Sequence, residues 1–221
     1  MSEARDVVLG RIRSALGPGV VVPDVPREYR GAGAPAEGDV VGLFCERVAD
    51  YKATVRRVAA AELGAAVAAA CAERGVRRLV TPAGGFAAVR GAEPATRGTA
   101  ELDGLELVAD DPPLSAQDLD ATDGVLSGCA LAIAETGTIV LDGGPRSGRR
   151  AITLVPDYHA CVVEAASIVA GVPDAVAALA EAAADGRPIT LVSGPSATSD
   201  IELDRVEGVH GPRTLDVFVT E

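Results

Sequence analysis

Apolar residues recur at steps of three and four in several stretches of the chain, the spacing that places them on one face of a helix. In one stretch Phe44, Val48 and Tyr51 begin a series that continues at the same spacing. Gly75 closes another stretch as a helix-ending glycine, and Ser115 opens a further one as its N-cap. The pattern predicts helices over residues 3–16, 43–59, 61–74, 115–122 and 173–184.

Short apolar runs without helical spacing lie between these stretches. The run from Cys129 to Ala134 is continuous and built from small residues, which is typical of a strand buried on both faces. Strands are predicted over residues 76–80, 105–108, 129–134, 138–141, 151–155, 158–163, 189–193 and 215–219. Alternating strands and helices indicate α/β layers with a mostly parallel central sheet and flanking helices, and the strands crowded between residues 130 and 163 add an antiparallel portion.

A segment dense in proline and glycine, residues 17–39, follows the first predicted helix. It lacks periodicity, so we expect a linker or an extended arm. We therefore predict an N-terminal helix and Pro/Gly-rich arm over residues 1–40, and an α/β domain over residues 41–221. A helix tethered in this way often docks on a second subunit, which leaves a homo-oligomer open as a hypothesis.

The amino-acid composition and net charge limit the kinds of molecule that the chain is expected to bind. The 221 residues suffice for one large core, which must be built from Ala, Val, Leu and Ile because aromatic residues are only 3% and Trp is absent. The net charge of −12 argues against nucleic acid and anionic membranes, which bind clustered Lys and Arg. No apolar stretch is long enough for a membrane span, and the N-terminal segment lacks the apolar core of a signal peptide, so we expect a cytoplasmic protein.

The four cysteines, Cys45, Cys71, Cys129 and Cys161, occur singly along the chain. Zinc and iron–sulfur sites are usually built from closely spaced pairs such as CxxC. We therefore expect no intrinsic metal or cofactor, and reduced thiols that pack as small hydrophobic side chains.

A polar turn at Glu135, Thr136 and Gly137 interrupts two apolar strands, the second of which begins at Thr138. A buried carboxylate needs a partner, and a glycine allows a tight turn or the close approach of a ligand. One hypothesis is that the Glu135 carboxylate and the threonine hydroxyls face a substrate. The other is a hairpin whose polar tip meets water.

A second polar segment directly follows a predicted strand. Hydroxyl groups and free backbone N–H groups lie at the expected start of a short helix, an arrangement suited to phosphate or carboxylate, and are supplied by Ser193, Gly194, Ser196, Thr198 and Asp200. Ser199 and Glu202 also fit a helix capping box, which needs no ligand. The P-loop pattern is absent, so nucleotide hydrolysis of that kind is not expected.

The chain has two histidines, His159 and His210. A lone histidine is often a hydrogen-bonded structural residue. His210, however, is flanked by glycines and a proline that fix a turn, so its ring could act in acid–base chemistry or bind an oxyanion.

Three arginines, Arg146, Arg149 and Arg150, share one loop. They could clamp a carboxylate or simply lie on a solvated loop tip. The GxSxG, HExxH and GxGxxG motifs are absent, so we expect no self-contained redox centre.

Four segments resemble the LUD domain family, in one order along the chain: AIAETGTIVL (132–141), LVPDYHACVV (154–163), SGPSATSDIE (193–202) and GVHGP (208–212). The resemblance runs from the first helix to the last strand and is loosest in the Pro/Gly arm. It implies a fold like that of sugar-phosphate isomerases and CoA transferases. It also implies a component of a system that oxidises L-lactate to pyruvate with two iron–sulfur partner proteins, while this chain carries no cluster.

The resemblance and the polar turns together define a site hypothesis for a small carboxylate or other small anion. Glu135 and His210 are the expected catalytic residues, and the expected ligand-binding residues are Thr136, Gly137, Thr138, Ser193, Gly194, Ser196, Thr198 and Asp200. One alternative is a stand-alone transferase or isomerase acting on an acyl-CoA or sugar phosphate, with Glu135 as the catalytic carboxylate, since CoA transferases of the related fold use a glutamate near a glycine. Another is a purely structural subunit whose acidic surface and arm dock partners.

Overall fold

The computed structural model describes residues 2–19, 23–33, 38–89, 100–102, 104–198, 206–207 and 210–221. The chain divides into two units, residues 1–30 and residues 31–221. The first unit contains helix α1 (Ser2–Leu16), where helical spacing predicted it.

The second unit contains the remaining helices and the strands. Its α-helices are α2 (Val40–Asp50), α3 (Leu63–Arg74), α4 (Gly85–Val89), α5 (Ala116–Asp120), α6 (Val172–Ala178) and α7 (Ala180–Ala184), with 3-10 turns at Ala60–Glu62, Arg150–Thr153 and Ala165–Ser167. Its strands are β1 (Thr54–Val58), β2 (Arg78–Thr81), β3 (Ala100–Leu102), β4 (Leu105–Ala109), β5 (Gly124–Gly128), β6 (Leu131–Ile133), β7 (Thr138–Leu141), β8 (Tyr158–Glu164), β9 (Ile168–Val169), β10 (Thr190–Val192), β11 (Ala197–Thr198), β12 (Val206–Glu207) and β13 (Thr214–Thr220).

The larger sheet has seven strands in the order β1-β13-β8-β5-β2-β4-β3. Neighbours from β1 to β4 pair in parallel, and β3 is antiparallel to β4 at the edge. The smaller sheet has the order β10-β7-β6-β9, and β11 pairs with β12. In the smaller sheet β7 is antiparallel to both of its neighbours. The predicted α/β fold, with a mostly parallel central sheet and flanking helices, is thus confirmed.

Both faces of the larger sheet are covered by apolar contacts. On one face α3 packs against the sheet, with Val67 in the same cluster as Phe218. On the other face α2 and the smaller sheet pack over β8 and β13, where Phe44, Ala132 and Val217 share a cluster. Helix α6 covers the outer face of the smaller sheet. The strands at the centre are therefore buried on both sides, which explains their continuous apolar runs.

Two predicted elements are wrong. The helix predicted over residues 43–59 ends at Asp50, and Thr54–Val58 forms strand β1, because β-branched Thr54, Val55 and Val58 favour a strand at the sheet edge. The strand predicted over residues 151–155 is a 3-10 turn whose Ile152 packs in an apolar cluster under the sheet. No strand is predicted over residues 124–128, where β5 lies at the sheet centre. Short apolar runs cannot be assigned by periodicity alone.

Asp216, in β13, is a fully buried carboxylate (0% exposed) at the contact with α3. Arg74 Nη2 donates to Oδ1 at 2.7 Å and Arg74 Nε to Oδ2 at 3.1 Å. Arg56 Nη1 lies 3.2 Å from Oδ2, and the Tyr158 hydroxyl donates to the same oxygen at 3.1 Å. Burial and the Asp216 charge raise the pKa of Tyr158. This cluster ties β1, β13, β8 and α3 together.

Replacing Asp216 should destabilise the fold strongly. Asp216→Asn leaves Arg74 without its carboxylate, whereas Arg56 still pairs with Glu73, and removing one partner of a buried ion pair costs up to about 3–5 kcal/mol. Urea unfolding at neutral pH measures this loss. Asp157→Asn, which removes an exposed ion pair with Arg213, should have a much smaller effect. Equal losses in the two variants would contradict this account of the cluster.

Gly137, in the turn between β6 and β7, has a φ of +59°. A Cβ atom at this position would lie 2.6 Å from the carbonyl carbon of Arg47 and 2.7 Å from the backbone nitrogen of Val48, both in α2. The glycine therefore lets the turn pack directly against the backbone of α2, which accounts for it without a ligand.

Gly137→Ala should lower the free energy of unfolding by about 1–3 kcal/mol, because it adds a clash to an unfavourable φ. Gly75→Ala is the matched control, since Gly75 has a φ of +71° and open space around it. Thermal or urea unfolding should show a larger loss for Gly137→Ala. Similar losses would mean that the contact with α2 does not matter.

Candidate functional site

The two polar segments that the sequence singled out meet in space through their described residues, 193–198 and 210–212. The backbone N–H of Ser196 donates to the carbonyl oxygen of Pro212 at 2.8 Å. The backbone N–H of His210 donates to Ser196 Oγ at 3.0 Å. Because the first segment follows β10 in the smaller sheet and the second precedes β13 in the larger one, these bonds close the space between the two sheets.

A cavity of about 220 Å³ lies there, at the carboxyl end of β10 and the amino ends of β8 and β13. Open α/β sheets commonly bind ligands at the carboxyl ends of their parallel strands, whereas this cavity is walled by the segments that precede β8 and β13. Its lining residues are Arg150, Thr153, His159, Thr190, Leu191, Val192, Ser193, Gly194, Pro195, Ser196, His210, Gly211, Pro212 and Leu215.

Arg150 brings a positive charge to this cavity. Its Nη1 donates to the carbonyl oxygen and to Oγ1 of Thr153 at 2.8 and 3.0 Å, and its Nη2 donates to the carbonyl oxygen of His210 at 2.9 Å. These acceptors are all neutral. Burial lowers the pKa of Arg150, but a guanidinium remains protonated in proteins.

The other two arginines of the predicted cluster are paired with acids. Arg149 donates to both carboxylate oxygens of Asp110, at 2.5 and 2.8 Å. Arg146 Nη2 lies 2.9 Å from Glu164 Oε1, outside hydrogen-bonding geometry. Within the described ranges no carboxylate lies within 4.0 Å of Arg150. Arg150 is therefore the member of the cluster that is suited to binding an anion.

His159, 2% exposed, forms a buried wall of the cavity. Its Nε2 lies 2.8 Å from Ser127 Oγ, and that hydroxyl lies 3.0 Å from the carbonyl oxygen of Gly128. The Ser127 hydroxyl is therefore within hydrogen-bonding distance of both Nε2 and the Gly128 carbonyl oxygen, and it holds the imidazole ring in place. Burial, reinforced by the Arg150 charge, lowers the pKa of His159 to about 4.

This pKa makes stability depend on pH. Between pH 6.5 and 4 the unfolded chain binds a proton at His159 that the folded chain does not, so stability falls as pH falls, by up to about 3 kcal/mol. His159→Gln removes this term, because glutamine does not titrate and still offers an amide to Ser127. Urea unfolding from pH 7 to pH 4 should show a smaller decline for His159→Gln than for the unaltered chain. If the free energy of unfolding fell equally in His159→Gln and in the unaltered chain, His159 would not be a neutral buried imidazole.

Among the residues predicted for the site, Ser193, Gly194, Ser196 and His210 line this cavity. Gly194 has a φ of +84°, and a Cβ atom there would lie 2.6 Å from Tyr51 Cβ, so contact with the end of α2 accounts for this glycine. Thr198 lies in β11. Asp200 and most of the expected short helix lie outside the described residues.

Thr136 and Thr138 reach the site through a chain of hydroxyl groups. Thr136 Oγ1 lies 2.7 Å from Thr138 Oγ1, which in turn lies 2.7 Å from Ser193 Oγ. The chain borders a second, apolar cavity of about 360 Å³ beside α6 and α7, which Ser193 also lines.

Glu135 lies in the turn between β6 and β7, apart from these cavities. It is exposed, it lines neither of these two cavities, and its Oε2 would be 3.1 Å from a Cβ atom placed on Gly171. Neither of these two cavities therefore brings Glu135 together with His210. The segment around Glu135 is the turn of the β6–β7 hairpin.

The set formed by Arg150, Thr153 and His159 is missing from the predicted site. All three lie within ten residues of one another just before or at the start of β8, a spacing visible in the sequence. The sequence analysis did not group these three residues because it predicted a strand over residues 151–155. In a strand, neighbouring side chains point to opposite faces.

Cys71, Cys129 and Cys161 are buried, Cys45 is half-buried, and burial raises the pKa of Cys71 to about 11. In the described ranges no three His, Cys, Asp or Glu residues are grouped to hold a metal ion. Among the helices given above, none has the length and apolarity needed to cross a bilayer.

Residues 42–220 match the LUD domain family, and the chain belongs to that family. Lactate utilization protein C of Deinococcus radiodurans is 47% identical over 184 residues, which cover 83% of this chain and 81% of that protein. Lactate utilization protein C of Bacillus licheniformis is 37% identical over 95 residues, 41% of this chain and 39% of that one. A crystal structure of a DUF162 family protein from Deinococcus radiodurans, 42% identical, superposes with a TM-score of 0.65 over 82% of this chain and 96% of that chain.

Proposed function

We propose that this chain is a component of a lactate-utilization system and that the Arg150 cavity binds a small carboxylate. The main evidence for the site is the Arg150 guanidinium, which donates hydrogen bonds to neutral oxygens of Thr153 and His210 in the cavity. Support for the system comes from the relative named Lactate utilization protein C, which is 47% identical over most of both chains.

The size and polarity of the cavity suit a carboxylate of few carbons. About 220 Å³ is below the 300–1,000 Å³ usual for drug-sized ligands. Beside Arg150, the Ser193 and Ser196 side chains line the wall. Since the whole chain carries a net charge of −12, long-range attraction does not favour anions, and binding depends on this local positive charge.

Iron–sulfur partner proteins belong to the proposal. Oxidation of L-lactate to pyruvate removes two electrons and two protons, and we assign acceptance of the electrons to clusters in the partners. This chain, without a cluster of its own, then binds and presents the carboxylate. The relative named Lactate utilization protein C supports a role in lactate utilization, and we extend the proposal to a cytoplasmic location shared with these partners.

The alternative function, a stand-alone transferase with Glu135 as the catalytic carboxylate, is not supported by the position of Glu135. That role requires Glu135 to face a bound substrate, and Glu135 is exposed and outside the two cavities described above.

Growth on L-lactate tests the proposal. A strain that lacks the gene should fail to grow with L-lactate as sole carbon source and should grow normally on pyruvate. The unaltered gene and Arg47→Gln should restore growth on L-lactate, because Arg47 is an exposed arginine of α2 with a weak ion pair. Arg150→Gln should not, because losing a charge-assisted bond to the ligand weakens binding by about tenfold or more.

Immunoblots must show equal amounts of the variants. Normal growth of the deletion strain on L-lactate would overturn the function, and full restoration by Arg150→Gln would overturn the assignment of the site.

A further inference from the structure

We infer that the apolar cavity beside α6 and α7 is a groove that binds helix α1 of a second copy of this chain, so that two copies exchange their N-terminal helices. Two exposed apolar surfaces, the charges around them and a contact of the Pro/Gly-rich arm support this assembly. It goes beyond the proposed function, because it concerns how copies of the chain associate.

The groove is lined by large apolar side chains that water reaches. Its apolar lining includes Ile133, Val172, Val176, Leu179, Ile189 and Leu191. Val176 is 65% exposed and Leu191 is 62% exposed, and Leu191 lies in β10, the edge strand of the smaller sheet. Exposed apolar side chains that surround one groove indicate an interaction surface. Leu191 also lines the Arg150 cavity, so an occupant of the groove would border the candidate site.

Helix α1 carries an apolar stripe that suits such a groove. Val8, Ile12 and Leu16 recur every four residues, which places them along one side of the helix. They are 54%, 49% and 60% exposed. Amphipathic helices bind apolar grooves through side chains spaced in this way. Because the stripe and the groove are both exposed in the single chain, the occupant that we assign to the groove is α1 of a second copy.

The charges around the two surfaces have opposite signs. Residues 4–16 of α1 include three arginines and one aspartate. Residues 172–185, which contain α6 and α7, include three acids, Asp174, Glu181 and Asp185, and no basic residue. Arg187, just beyond them, lies 3.7 Å from Asp185. Attraction between the basic helix and the acidic border of the groove opposes the repulsion between two chains that each carry a net charge of −12.

The Pro/Gly-rich arm is attached at one end of the groove. The backbone N–H of Gly33 donates to Oδ1 of Asp174 at 2.6 Å, and Asp174 lies in the first turn of α6. Residues 17–32 separate Gly33 from the end of α1, and a segment of that length spans at most about 55 Å when extended. The arm is therefore long enough for α1 to reach the groove of a neighbouring copy. A two-fold exchange fills both grooves and closes the dimer.

Light scattering coupled to size exclusion of the purified full chain tests this assembly. The unaltered chain should have twice the 22.3 kDa mass of one copy. Ile12→Glu and Val176→Glu should each reduce the mass to that of one copy, because each places a charge in the apolar contact. Val25→Glu is the matched control, since Val25 is an exposed apolar residue of the arm (54% exposed), and it should remain a dimer. Circular dichroism should be the same for all four proteins, since the altered side chains are exposed.

A mixture of Ile12→Glu and Val176→Glu tests the exchange itself. The first variant keeps an intact groove and the second keeps an intact helix, so one of the two contacts can form between them. Native mass spectrometry at raised concentration should detect dimers with one copy of each variant, which neither variant forms alone. Absence of these mixed dimers would overturn the exchange.

A monomeric unaltered chain would overturn the inference, and so would a dimer that persists in folded Ile12→Glu or folded Val176→Glu. Loss of the dimer in Val25→Glu would also contradict it, because that change leaves both surfaces intact. If one variant does not fold, the masses of the unaltered chain and of the other variant still decide. Growth on L-lactate does not enter this test, so its outcome is separate from that of the proposed function.

Discussion

Close packing of the smaller sheet and α2 on one face of the larger sheet is the constraint on which the site depends. The contact is built from small side chains such as Ala132, Ala134 and Cys161, which let two layers approach closely. Gly137 and Gly194 extend that approach to the backbone of α2 and to Tyr51. As a result, the end of β10 lies opposite the starts of β8 and β13, and the cavity forms between them.

Arg150 differs from other arginines of the described residues in its partners. Arg74 faces Asp216 and Arg149 faces Asp110. Arg150 is instead bound by oxygens that carry no formal charge. Its positive charge also helps to keep His159 neutral, so the cavity combines a fixed cation with a fixed neutral imidazole.

Much of the fold was predictable because it follows from local patterns. The continuous apolar runs of β7 and β8, the capping serine of α5 and the closing glycine of α3 were all read correctly. Strand β1 was not, because Val55 and Val58 satisfy helical spacing as well as a strand at a sheet edge. Gly137 was interpreted as allowing a tight turn or the approach of a ligand, and Gly194 as part of a ligand-binding segment, since their contacts with α2 and Tyr51 involve residues far away in the sequence.

The sequence by itself determined the layered α/β architecture and pointed to the serine-rich segment and the His210 turn, because both depend on residue type and local spacing. The tertiary structure decided which polar groups share a cavity. Arg150 and His210 are 60 residues apart, and Ser127 and His159 are 32 apart, so their hydrogen bonds follow from how strands are paired and sheets are packed. The neutral partners of Arg150 and the lowered pKa of His159 are set by those long-range contacts and by burial.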